Sequence, residues 1–232
     1  MIPFYVLKAL HLELKKKKCP IILYCFRYYA SVFPTEQKFF GDNGMLRENV
    51  VGDTPLIDTT AYVDPSAIII GRVTVGPNCY IGPSVVIRAD RFSADDEKAK
   101  IEIGSGCGIQ DLSVLHVHAE QTLKIGDETI INHGAVIHGP AAIGNRCFVG
   151  SKTILACVDI GDSVFVRSNS VLEEVIIPPE KFVELNTIIN IGNRSEMLET
   201  LRDITDAEKA YIAHCVDENR EYSMRYKYSL EE

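Results

Sequence analysis

The 232-residue chain has no tryptophan, no CxxC pair and no excess of positive charge. The missing tryptophan excludes nothing, but the other two absences narrow the field. Seven cysteines stand at scattered positions, 19, 25, 79, 107, 147, 157 and 215. Without paired spacing they read as reduced, mostly buried thiols of a cytoplasmic protein, not as a disulfide framework or a thiolate metal site. A formal net charge of -8 and a pI near 5.3 argue against nucleic acid or an anionic membrane as the main partner. The apolar run from Pro20 to Phe33 contains Arg27 and is too short to span a bilayer comfortably. It also lacks the charge-first order and small-residue cleavage site of a signal peptide. What remains is an ordinary globular balance, 46% hydrophobic and 24% charged.

What is present is a period of six. Ile125, Ile131, Ile137, Ile143, Val149 and Leu155 are evenly spaced, and glycine follows at Gly126, Gly144 and Gly150. That period fits neither a helix nor an alternating strand. It marks a parallel β-helix, in which each unit is one short strand and one turn, with about eighteen residues per coil and coils stacked at roughly 4.8 Å. Earlier rungs are Ile70, Val75, Ile81 and Ile87, then Ile103, Ile109 and Leu115; later ones are Ile160, Val166, Leu172 and Ile177. A ten-residue excursion (89–98) and a four-residue one (118–121) interrupt the ladder. Glycine and the corner residues Asn78, Asp127, Asn145 and Asp162 are expected to supply the unusual backbone angles of tight turns.

Three parts follow: an extension 1–45, a β-helix domain 46–180, and a helical segment 181–232. In the last, Thr205 and Glu208 form a capping box ahead of a run from Ala207 to Tyr226, and a shorter helix is expected around Glu196 to Leu201. The extension carries no assigned function; an upstream start codon, with Met45 as the natural beginning, explains it as plainly as targeting does.

The repeat converts sequence separation into position. Ile137 and Leu115 differ by one coil plus the four-residue excursion, and Leu115 and Ile87 by one coil plus the ten-residue excursion. All three therefore share a face, and the residues after them, His138, His116 and Arg88, stack in one column that ends at Ala156. Two imidazoles one coil apart suit a metal with bonds of about 2.0–2.1 Å to nitrogen. His133 lies on the preceding face and cannot readily reach the same point within one chain, but in a cyclic trimer a neighbour would supply it. Three histidines with an open fourth position describe a catalytic metal site. His11, His118 and His214 read as isolated surface histidines. Arg88 with Asp90 reads as an ion pair across a trimer edge, against the plainer alternative of a surface pair. Gln110 and Asn132 stack on the face before, either as a polar ladder facing the metal pocket or as exposed corner residues.

These residues resemble the γ-class carbonic anhydrases. The motifs are Ile87-Arg88-Ala89-Asp90, Ile109-Gln110-Asp111 with Val114-Leu115-His116, and Asn132-His133-Gly134 with Ile137-His138-Gly139-Pro140. The resemblance spans Leu56 to Pro179 and reaches into the C-terminal helix. It implies a left-handed parallel β-helix of hexapeptide repeats with a C-terminal α-helix packed along it. The chain is expected to form a homotrimer with zinc, or ferrous iron, at each interface. His116 and His138 would come from one chain and His133 from the next, with Arg88 and Asp90 tying subunits and Gln110 orienting metal-bound solvent. The implied activity is reversible hydration of CO2 to bicarbonate by metal-bound hydroxide.

The chain departs from the archaeal type enzyme in three places. Arg91 and Ala119 stand where that type has glutamates, the second a proton shuttle; Glu120 and His118 are the nearest substitutes. Ile212 falls where the family has a functional asparagine in the helix. Two alternatives stay open: a metal-binding trimeric scaffold of carbonic-anhydrase type with little or no activity, and a hexapeptide-repeat acyltransferase. The last needs one histidine as general base and gives no reason for a stacked pair.

Overall fold

A computed structural model describes residues 45–90 and 99–229. The extension up to residue 44, most of the first excursion with Arg91, and His11, Cys19 and Cys25 lie outside the described residues. The rest is a parallel β-solenoid with three strand-bearing faces. One face is an eight-stranded sheet running from Tyr62–Val63 to Arg202–Asp203. The other two merge into a thirteen-stranded sheet, because the long strands Val136–Ile143 and Ile154–Ile160 each turn a corner.

The expected register is observed. Leu115 pairs with Ile87 and with Ile137, and Ile137 with Leu155, all in parallel. The rungs Ile87, Ile109, Leu115, Ile131, Ile137 and Leu155 are fully buried, each stabilising the coil by about 1.5–3 kcal/mol relative to exposure. Inward aliphatics on every coil therefore form one continuous core.

Four expectations need correction. The ladder does not stop near Pro178-Pro179: Val183 pairs with Val166 and Ile189 with Leu172, keeping the six-residue spacing from Ile177 onward. It also starts earlier, since Met45–Arg47 pairs with Ile68–Ile70. The left-handed backbone falls on Asn78 as expected. At the other corners, however, it falls one residue later, on Glu128, Arg146 and Ser163. Asp127, Asn145 and Asp162 instead bridge coils: their side-chain oxygens accept from the backbone N–H of Ser105, Asp127 and Asn145 at 2.7, 2.8 and 2.7 Å. A Cβ at Gly126 would lie 2.6 Å from Asn145 Oδ1, so the glycine after the rung makes room for this ladder. Finally, the first inward rung is Ile69, fully buried and paired with Ile87, while Ile70 pairs with Arg88 in the outward column. The described cysteines are mostly buried, as expected, with Cys157 exposed.

After the last coil come helix α1 (Arg194–Glu199) and helix α2 (Asp206–Ser229). The capping box closes the start of α2: Thr205 N–H donates to Glu208 Oε2 at 2.8 Å, and Glu208 N–H to Thr205 Oγ1 at 3.3 Å. Helix α2 lies on the eight-stranded sheet, whose outward column is Tyr62, Tyr80, Gly108, Ile130, Phe148, Phe165 and Phe182. Tyr226 stacks on Tyr62, Ile212 and Val216 pack among the column's aliphatics and phenyls, and Tyr211 meets Phe148. Among the described residues no helix is long and apolar enough to cross a membrane.

Candidate metal centre

The strand Val114–Val117 carries His116 outward, paired with Arg88 on the coil below and His138 on the coil above. His138 pairs onward with Ala156, so the polar column ends where the register argument ends it. The two imidazole centroids are 5.1 Å apart. Asp90 Oδ2 lies 3.1 Å from Arg88 Nε and 2.9 Å from His116 Nε2, while Arg88 Nη2 lies 3.1 Å from the same ring nitrogen. The Arg88–Asp90 pair therefore forms within a single chain.

The donor chemistry of this cluster fits a cation. Burial pushes the His116 pKa below the ordinary imidazole value, and this outweighs the opposing pull of Asp90. At neutral pH the ring is uncharged and retains a lone pair. His138 Nδ1 is 2.8 Å from the carbonyl oxygen of Gly139. A carbonyl only accepts, so Nδ1 holds the proton and Nε2 is left with its lone pair, the tautomer in which metal-ligating histidines are commonly held.

His118, read as an isolated surface residue, is not isolated. Its ring centroid is 4.4 Å from that of His116 and 5.0 Å from that of His138. Ligand-capable atoms of the three rings all lie within 4.8 Å of one another. The i, i+2 spacing of His116 and His118 permits this contact, since alternate residues of an extended chain face the same way, but residue 118 lies in the excursion, where the six-residue period does not fix it. His133 stands outside this group, more than half exposed, with Nδ1 3.8 Å from Asp111 Oδ2. Gly139 is where backbone passes closely, a Cβ there meeting Val117 at 2.6 Å, whereas Gly134 serves a φ of +66° in otherwise open space.

Gln110 faces helix α2. Its Nε2 donates to Asn219 Oδ1, and Asn219 Nδ2 donates to the Cys215 carbonyl at 2.7 Å. Gly108 makes this possible, because a Cβ there would lie 2.6 Å from the Asn219 side chain. The helix asparagine that meets Gln110 is thus Asn219, only 5% exposed, and Ile212 belongs to the apolar packing beneath α2. Sequence alignment missed it because only the docking of α2 selects which turn faces Gln110. Asn132 turns inward on itself, its Oδ1 accepting from the His133 N–H at 2.9 Å.

No family model matches the chain. Among curated proteins it is 31% identical over 141 residues to the carbonic anhydrase of Methanosarcina thermophila, covering 50% of this chain and 55% of that one. It is 34% identical over 104 residues to the carnitine operon protein CaiE of Escherichia coli, covering 45% and 49%. The chain is similar to γ-class carbonic-anhydrase-like, left-handed β-helix proteins. It spans about half the length of the curated relatives it matches. A solved hexapeptide transferase family protein from Anaplasma phagocytophilum superposes with a TM-score of 0.62 at 24% identity, covering 78% of this chain and 97% of that one. The BC4754 gene product of Bacillus cereus superposes at 0.66 with 22% identity, covering 80% and 98%. At these identities the two structures show the fold alone.

Proposed function

We propose that the protein is a metal-dependent carbonic anhydrase that interconverts CO2 and bicarbonate at a homotrimer interface. His116, His138 and the partner subunit's His133 would hold zinc or ferrous iron. The observation that carries this reading is the stacked column Arg88–His116–His138, in a chain similar to a carbonic anhydrase. A bound zinc or ferrous ion would act as a Lewis acid, bringing the pKa of its water from 15.7 to about 7.

The chain's own residues then have separable roles. Asp90 and Arg88 orient the His116 ring from its Nε2 side. The Gly139 carbonyl fixes the His138 tautomer. The Cys215 carbonyl fixes the Asn219 amide, and Asn219 in turn holds the Gln110 nitrogen. The Gln110 carbonyl oxygen is left to accept a hydrogen bond from water or substrate, so Gln110 would orient the attacking oxygen. A second reading, the same metal-binding trimer with little turnover, is favoured by Ala119 in place of a shuttle carboxylate.

Stopped-flow CO2 hydration by protein purified without oxygen and reconstituted with zinc or ferrous iron tests the proposal. Hydration well above the buffer rate, lost in His138→Ala, is the expected result. A metal-loaded trimer without hydration would move the reading to the scaffold, and a protein that retains no metal would remove both.

A further inference from the structure

We propose that His118, with His116 and His138, forms a metal site complete within one chain, so that a subunit can hold its ion before a neighbour supplies His133. This deepens the proposed function and rests on it for the pair His116 and His138 alone.

Three observations carry the inference. The ligand-capable atoms of the three rings already lie within 4.8 Å of one another. Tetrahedral bonds of 2.0–2.1 Å place ligand nitrogens about 3.3 Å apart, a closure within reach of small side-chain rotations. His118 is the exposed member of the three, while the other two are half-buried and held by neighbours. The ring that has to move is therefore the one free to move.

Its backbone, by contrast, is anchored. The His118 N–H donates to Gln121 Oε1, and the Gln121 N–H to the His118 carbonyl, both at 3.2 Å. This closed turn keeps the residue at the mouth of the column. Asp90 Oδ2 and Arg88 Nη2 both lie at His116 Nε2, 2.9 and 3.1 Å away, so that ring is held in place from one side. Arg88 Nε is 3.1 Å from Asp90 Oδ2, so the two charges compensate each other beside the site.

The inference changes what His133 is for. If the site closes in cis, His133 is a ligand gained on assembly and not a condition for retaining metal. Once four imidazoles are available, exchange between His118 and the partner subunit's His133 decides whether a coordination position stays open. Open sites are catalytic and closed ones structural.

The test compares cobalt(II) retained by the full chain after exhaustive dialysis, together with its visible absorption spectrum, in His133→Ala and in the double variant His118→Ala/His133→Ala. His133→Ala is expected to retain about one cobalt per chain with a tetrahedral-type spectrum, and the double variant to fall to the level of His116→Ala/His138→Ala. Circular dichroism checks that each variant keeps the solenoid. Loss of cobalt from His133→Ala would overturn the inference while leaving the inter-chain site of the proposed function intact. Undiminished cobalt in the double variant would also overturn it, by showing that His118 is not a ligand. No cobalt in the unaltered protein would sink the inference and the proposed function together.

Discussion

On the face beneath α2, the outward column is aromatic and aliphatic from Tyr62 to Phe182, broken only at Gly108. On the histidine face, the corresponding column reads Ile70, Arg88, His116, His138, Ala156 and Glu173. Both columns ride on buried aliphatic rungs, Ile81, Ile109 and Ile131 on one face and Ile87, Leu115 and Ile137 on the other, with the same parallel pairing. Their outward residues alone separate them. Phe148, Phe165 and Phe182 stack with centroids 4.6 and 5.2 Å apart and need a cover, which α2 provides. The histidine column has polar tips that hydrogen-bond one another or Asp90, and among the described residues no helix is laid over it. One outward column is thus part of the apolar packing, and the other presents polar side chains.

The sharpest way to break this comparison is to remove a residue from each column. His138→Ala should lower metal retention below the about one ion per chain of the unaltered protein and take hydration to the buffer rate, measured by elemental analysis and stopped flow. The metal-free fold should shift by no more than about 0.5 kcal/mol. A His138→Ala protein that unfolds would show that the histidine face carries stability after all. Phe165→Ala should do the reverse, lowering the unfolding free energy in urea by about 3–5 kcal/mol while the folded protein keeps its metal.

Gly108→Ala probes the contact between Gln110 and α2. Its Cβ would press on Asn219 at 2.6 Å, so a destabilisation of about 1–3 kcal/mol is expected. Hydration should fall with metal content unchanged, because Gln110 loses the partner that orients it. If hydration is unaffected, Asn219 has no part in placing Gln110.

The smallest effect is at the start of α2. The Arg202 guanidinium, bonded to Glu208 Oε1 and Oε2, holds that carboxyl down at about 2, below its ordinary 4.5. The folded-state pKa is depressed, so the stabilisation is complete above about pH 4.5 and is lost as the pH falls towards about 2. Screening at this surface keeps it below about 1 kcal/mol. Acid titration of helical circular dichroism should show the loss in that window, and Glu208→Gln should abolish it.

Much of this was legible from residue spacing. Ile87, Leu115 and Ile137 could be placed on one face by counting, and the stacking of Arg88, His116 and His138 followed, because a solenoid's neighbours are set by its period. Counting failed where the period does not govern. His118 lies in an excursion, so the repeat says nothing about its ring, which is found against His116 and His138. Asn219 and Ile212 lie about two turns apart on the same buried face of α2, so the choice between them depends on how far along its axis the helix is docked, and the hole left by Gly108 receives Asn219.

The sequence by itself therefore determined the coil, its register and the residues sharing each face, since parallel pairing makes position along a column a matter of arithmetic. Tertiary structure alone decided which polar groups meet across that register: a third imidazole from a turn, and an asparagine from a helix packed over a glycine. Those contacts join segments whose separation follows no repeat, and side-chain packing, which no spacing rule encodes, selects them.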